Sequence, residues 1–172
     1  MAQKKNIIII LLLLFGFISL YFNIHLFNEN KSIKSMVGRD YFNQHAEANS
    51  IVNVVVFEKK VSELLDGDVK SYDVYRTRVN SVVSNIKGSV GGYYNRIALS
   101  LDEIASLYEK GDIKAIEVKA EYTKSKIIVM NEIYSKMEET LGLEDVKWYG
   151  ELTNSNSEIN NFINDKFEFF NK

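Results

Sequence analysis

The chain has 172 residues, a net charge of −2, 26% charged residues, no proline and no cysteine. Without cysteine there are no disulfide staples, no thiolate nucleophile and no lipid-modified N-terminal cysteine. The near-neutral balance excludes the strong basic field that draws nucleic acid.

The first element is an apolar run from Ile7 to Phe27. It opens with Ile7 to Ile10 and Leu11 to Leu14, continues through Phe15-Gly16-Phe17-Ile18-Ser19-Leu20-Tyr21-Phe22, and contains no charged residue. About 20 apolar residues cross a hydrocarbon core of about 30 Å, so the run predicts a membrane-spanning helix. Asn23 and His25 lie near its end, where headgroups and water solvate them. A cleaved signal peptide is the competing reading. Its apolar region is shorter and is followed by a small-x-small cleavage site, which Asn23-Ile24-His25-Leu26-Phe27-Asn28-Glu29 does not supply. The expected organisation is a short tail (1–6), an uncleaved single-pass signal-anchor helix (7–27) and one helical-bundle domain (28–172). Lys4, Lys5 and the terminal amine on one flank nearly balance Lys31, Lys34 and Arg39 on the other under the positive-inside rule; because Lys4 and Lys5 adjoin the apolar run, the N-terminus is expected inside and the domain outside the cytoplasm.

Beyond the anchor, apolar residues recur at steps of three and four, the helical signal. The first such helix is expected from about Ser32 to Leu65, on the stripe Ile33, Val37, Tyr41, Ala48, Ile51, Val55, Phe57, Val61 and Leu64. It can continue directly from the apolar run, since Asn28 to Ser32 are polar but not helix-breaking. Val54 to Phe57 read locally as a strand, yet Glu and Lys flank them at helical spacing. Asp66-Gly67-Asp68 ends this helix, with Asp68 placed to cap the next.

The second helix starts near Val69. Its stripe, Tyr72, Tyr75, Val79, Val83, Ile86, Val90, Tyr93, Ile97, Leu101, Ile104 and Tyr108, keeps step across Gly88, Gly91 and Gly92. That continuity predicts one long helix, thinned or kinked at the glycines; a break and turn there is the alternative. Lys110-Gly111-Asp112 repeats the turn chemistry, and a third helix is expected from Ile113 to Leu141, ended by Gly142. A fourth region begins near Glu144 and breaks near Asn154. A last amphipathic helix follows, with Ser155 and Glu158 at capping-box spacing and Ile159, Phe162, Ile163, Phe167 and Phe170 on its apolar face. The sum is an all-α chain, an antiparallel up-down bundle of three or four long helices with coiled-coil-like spacing.

The residues that carry chemistry are sparse. The two histidines, His25 and His45, form no His-x-x-x-His or Glu-x-x-His pair, so no metal site is expected, and His45 reads as a surface residue. Gly88-Ser89-Val90-Gly91-Gly92 lacks the lysine and hydroxyl of a phosphate loop. Asp66-Gly67-Asp68 lacks the further ligands of a calcium loop. Trp148-Tyr149-Gly150 matches the Trp-x-Gly turn of small secreted helical-hairpin proteins, but over those three residues only. Aromatic residues are the best candidates for partner contact, because they dominate binding hot spots: Trp148, Tyr149, Phe167, Phe169 and Phe170. Core packing competes for the same residues; of the last three, Phe167 and Phe170 fit the stripe and Phe169 falls off it.

No catalytic set and no cofactor site is expected. The expected role is a membrane-anchored, non-enzymatic bundle that binds a protein partner, or a second copy of itself, at a bacterial envelope, as an accessory, inhibitory or immunity-type subunit. The layout of an N-terminal membrane helix running into a bundle also resembles the input domains of chemoreceptors and sensor kinases. That resemblance implies an extracytoplasmic domain sensing a small molecule.

Overall fold

The computed structural model describes residues 2–86 and 89–168. Its elements are all helical: α1 (Ala2–Ile51), α2 (Val54–Leu65), α3 (Val69–Val83), α4 (Ser89–Glu109), α5 (Ile113–Leu141), α6 (Asp145–Thr153) and α7 (Glu158–Glu168). The all-α expectation holds. The expected count does not: six helices pack behind the N-terminal one, instead of three or four.

The apolar run and the first part of the domain form one unbroken helix, α1, of 50 residues. It is the one helix among the described residues long and apolar enough to cross a membrane, and none of those residues buries its apolar window. Phe15, Phe17 and Phe27 are each at least 67% exposed. A core helix of a water-soluble domain would be covered on such a face. This length and composition suit a membrane span or a signal helix.

The expected helix from Ser32 to Leu65 is divided at Val52-Asn53. Asn53 is extended (φ −126°, ψ 157°) and its side chain accepts from the Val56 amide. Its amide nitrogen donates to the Ser50 carbonyl at 3.0 Å. One asparagine therefore caps the start of α2 and ties it to the end of α1. Val54 to Phe57 are helical, as expected, although Val55 faces solvent while Phe57 is buried.

The turns at Asp66-Gly67-Asp68 and Lys110-Gly111-Asp112 form as their residues dictate. Gly67 (φ 94°) and Gly111 (φ 71°) take the left-handed conformation that glycine adopts without cost. Asp68 accepts from the Ser71 amide and Asp112 from the Ala115 amide. The long helix expected from Val69 to Tyr108 is instead two, α3 and α4. Ser84 caps α3, and the Asn85 and Ile86 amides bond back to Val82 and Val83. Gly91 makes the return possible, because a Cβ there would overlap the Ile86 carbonyl oxygen. Gly88 lies outside the described residues. The final helix also starts differently: Ser157, not Ser155, accepts from the Asn160 amide at 3.1 Å.

Contacts between distant residues define the path. Arg39 meets Asp145, Asn49 meets Asn131 and Glu58 meets Lys124. As the numbers rise along α1 and α2 they fall along α6 and α5. So α5 and α6 run back antiparallel beside α1 and α2. At one end α2, α3, α4 and α5 pack in a ring, each against the next. There the Tyr72 hydroxyl donates to the Leu101 carbonyl and Arg76 bridges Asp73 and Asp102. At the other end α6 and α7 pack with α1 and α5. A single core joins the two, from Phe57, Leu64, Tyr72 and Leu101 through Ile127, Met130 and Ile133 to Trp148, Ile159 and Ile163.

Candidate functional site

Two places gather polar and aromatic groups. The first is the joint between α1 and α6. Gly38 leaves α1 bare where the main chain of Asp145 crosses it; a Cβ there would overlap the Asp145 carbonyl oxygen. Beside that contact Arg39 Nη2 donates to Asp145 Oδ2 at 2.7 Å, and the Ser35 hydroxyl donates to the same oxygen at 3.1 Å. The Arg39 hydrogen bond holds the Asp145 carboxyl below its ordinary range. Asp145 also opens α6, where a negative charge meets the positive end of the helix dipole.

Trp148 is fully buried in this joint. Its ring lies edge-on to Phe42 (5.3 Å between centroids) and tilted to His45 (6.1 Å). Its Nε1 donates to the Gly142 carbonyl at 2.9 Å. His45 is 2% exposed and not a surface residue as expected. It falls four residues after Tyr41 and three before Ala48, in phase with the stripe, and the fold buries it with them. Desolvation pushes its pKa down to about 4, so it is neutral at neutral pH.

The other partner candidates are placed apart. Tyr149 is half-buried, with the Lys34 ammonium 5.8 Å from its ring. Phe167 is buried and stacks on Tyr93, at the far end of α7. Phe169 and Phe170 lie outside the described residues. So the structure brings Trp148 and Tyr149 together on α6, away from Phe167, and both Trp148 and Phe167 are covered by the chain itself.

The second place is a cleft of about 570 Å³ where the end of α1 meets α2 and α3. Ser50, Ile51, Val56, Lys60, Asp68, Lys70, Ser71, Val74, Tyr75 and Arg78 line it. Lys60 donates to Glu63 and to Ser71, each at 2.7 Å, and the Ser71 hydroxyl donates to Glu63 at 2.6 Å. These hydrogen bonds hold Glu63 below its ordinary range. Asp68 is engaged as the cap of α3. Tyr75 is 4% exposed, and its hydroxyl is buried without a hydrogen-bond partner among the described residues. Burial raises its pKa, so it stays a protonated donor. No part of this cleft stood out in the sequence. Tyr75 sat on a core stripe, and Lys60, Lys70 and Arg78 were scattered through mixed-charge faces. The signal that bears on it, the turn Asp66-Gly67-Asp68, marks the corner where α2 and α3 meet.

Among the described residues no three His, Cys, Asp or Glu side chains are grouped to hold a metal ion. The chain matches no protein-family model, no curated protein and no solved structure. Its geometry therefore carries the functional reading.

Proposed function

We propose that this chain is a membrane-anchored, non-enzymatic protein whose helical domain binds a protein partner at the cell envelope, as an accessory, inhibitory or immunity-type subunit. The observation that carries this reading is an exposed apolar face on α4 and α5. Leu107, Ala115, Val118 and Tyr122 line a groove of about 510 Å³ there, between Lys114 and Lys119. Val118 is 72% exposed, and Leu99 on the neighbouring helix 60%. An apolar strip rimmed by charge is the form of a protein-binding surface. The anchor supports the same reading. A continuous α1, gripped by α6 at Gly38 and Arg39, would hold the domain upright over the bilayer, with Lys4 and Lys5 inside and the domain outside. Crosslinking in intact membranes followed by capture of the tagged full-length chain tests it. A partner held by the native chain and lost with Val118→Glu supports the proposal. No partner, or the same partner held equally by the variant, overturns it.

A second reading is favoured by the cleft beside Tyr75: an extracytoplasmic domain that senses a small molecule. The cleft adjoins the Val52-Asn53 bend, where the membrane-connected helix passes into the rest of the domain. A ligand there would touch both sides of the bend.

A further inference from the structure

We infer that the cleft between the end of α1, α2 and α3 is a binding site for a small organic anion: one carboxylate or phosphate group on a compact apolar body. The inference deepens the sensing reading and takes its biological meaning from it.

The charges around the cleft are unequal in their freedom. Asp68 is engaged in capping, and Lys60 is tied to Glu63 and Ser71. Lys70 and Arg78 make no ion pair among the described residues, and both border the cleft. They lie two turns apart on α3 with Val74 between them. Their flexible side chains can therefore converge on an anion above Val74, which is itself 62% exposed. Counting Glu63 with the lining residues, three cations stand against two carboxylates, so the cleft carries a net positive charge.

The Tyr75 hydroxyl is the second feature. A buried polar group with no partner costs about 1–3 kcal/mol, and nearly all such groups find one. This one sits on a side chain that lines the cleft but is itself closed off from solvent, so a small outward turn of the ring is what would satisfy it there. Turned outward, it would donate to an oxyanion. The apolar remainder of the wall, from α1, α2 and α3, suits a hydrocarbon or ring attached to that anion. A volume of about 570 Å³ lies within the range typical of small-molecule sites.

Position separates a soluble anion from a lipid headgroup. Ile51 borders the cleft and lies 24 residues beyond Phe27 on one unbroken helix. With α1 along the membrane normal and Phe27 at the surface, as the proposed anchoring has it, 1.5 Å per residue puts Ile51 about 36 Å out, beyond a headgroup's reach. The ligand therefore comes from solution.

The test uses the full-length chain in nanodiscs, with phenylacetate, hexanoate and phenyl phosphate as probes and phenylacetamide and hexanamide as neutral controls. Calorimetry and thermal unfolding are expected to show saturable binding of the anions and none of the amides. Response to the carboxylates, to the phosphate ester, or to both identifies the preferred headgroup, and each supports the site. Lys70→Gln and Arg78→Gln change exposed residues and preserve the fold. Each is expected to raise the dissociation constant about tenfold, the loss of one charge-assisted hydrogen bond; Tyr75→Phe is expected to raise it several-fold. No binding by any probe, equal binding of acids and amides, or unchanged affinity in both charge variants would overturn the site. Hydrogen exchange separates it from the sensing reading. Anion binding that slows exchange in α2 and α3 but leaves α1 unchanged would keep the site and remove the sensor.

Discussion

Gly38 of α1 lies against the main-chain carbonyl of Asp145, so close that a single methyl group would occupy the oxygen's place. Glycine in a helix costs about 1 kcal/mol relative to alanine, and here that cost admits the backbone of α6. The obstruction is backbone, so a larger residue displaces α6 and cannot be relieved by a rotamer. Gly38→Ala should lose about 1 kcal/mol net, and up to about 2, an overpacking cost of about 1–3 kcal/mol set against a helix-propensity gain of about 1 kcal/mol. Gly150 sits in α6 with open space around it and ordinary backbone angles. Gly150→Ala should therefore gain up to about 1 kcal/mol. Thermal unfolding of the two variants, with opposite signs expected, checks the contact.

His45 gives the fold a defined acid sensitivity. Its folded pKa of about 4 lies below the ordinary 6.5. The folded state therefore disfavours the proton that the unfolded state binds. Its contribution is fully present above pH 6.5 and is lost as pH falls through the window down to about 4. At about 1.4 kcal/mol per pH unit the total approaches about 3 kcal/mol. Asp145 and Glu63 also have depressed values, and their contributions are lost as pH falls from the ordinary carboxylate values downward, at the acid edge of that window. Unfolding free energy measured between pH 7 and 5 should fall steeply for the native chain and stay nearly flat for His45→Met.

Trp148 anchors α6 to α1 and closes the last turn of α5 through Gly142. Trp148→Ala should cost about 3–5 kcal/mol, the range for a large buried aromatic, and lower the melting temperature by on the order of 10 °C. Trp148→Phe should cost less, since it keeps the contact with Phe42 and loses chiefly the Nε1 hydrogen bond, worth about 1 kcal/mol. Near-ultraviolet circular dichroism and calorimetry on the pair separate packing from the hydrogen bond.

Asn53 links two helices by one side chain. Asn53→Ala should cost about 1 kcal/mol as a lost cap. Asn53→Asp should keep the bond from the Val56 amide and lose the donor to Ser50. Amide exchange at Val56 should therefore rise in the alanine variant and stay slow in the aspartate variant.

Parts of this fold were legible in the residues, and the reasons differ from part to part. Ile113 and Leu141 bound α5 in the sequence and in the structure alike, because an Asp cap and a left-handed glycine punctuate a regular 3-4 stripe. The return between Val83 and Ser89 was not legible from the stripe. Spacing records which side chains are buried, not whether the axis between them stays straight. α4 folds back on α3, so both ends of the turn face one core and the count continues through it. The exchange of Tyr93 for Tyr94 as the buried residue marks the change. Asn53 was hidden in a valine-rich run, and its capping role shows only in its extended backbone. His45 was judged by its polarity and not by its position in the repeat. The cleft beside Tyr75 joins three helices, and no linear pattern brings Ser50, Lys60 and Arg78 together.

The proposed anchor keeps the apolar start of α1 in the bilayer and carries the helical domain on one continuous helix. Alkaline extraction of membranes containing the full chain with a C-terminal tag, read by molecular size, tests it most directly. The tagged chain should sediment with the lipid at its full length of 172 residues plus tag. Release into the supernatant, or a product shortened by the apolar segment, would contradict the account.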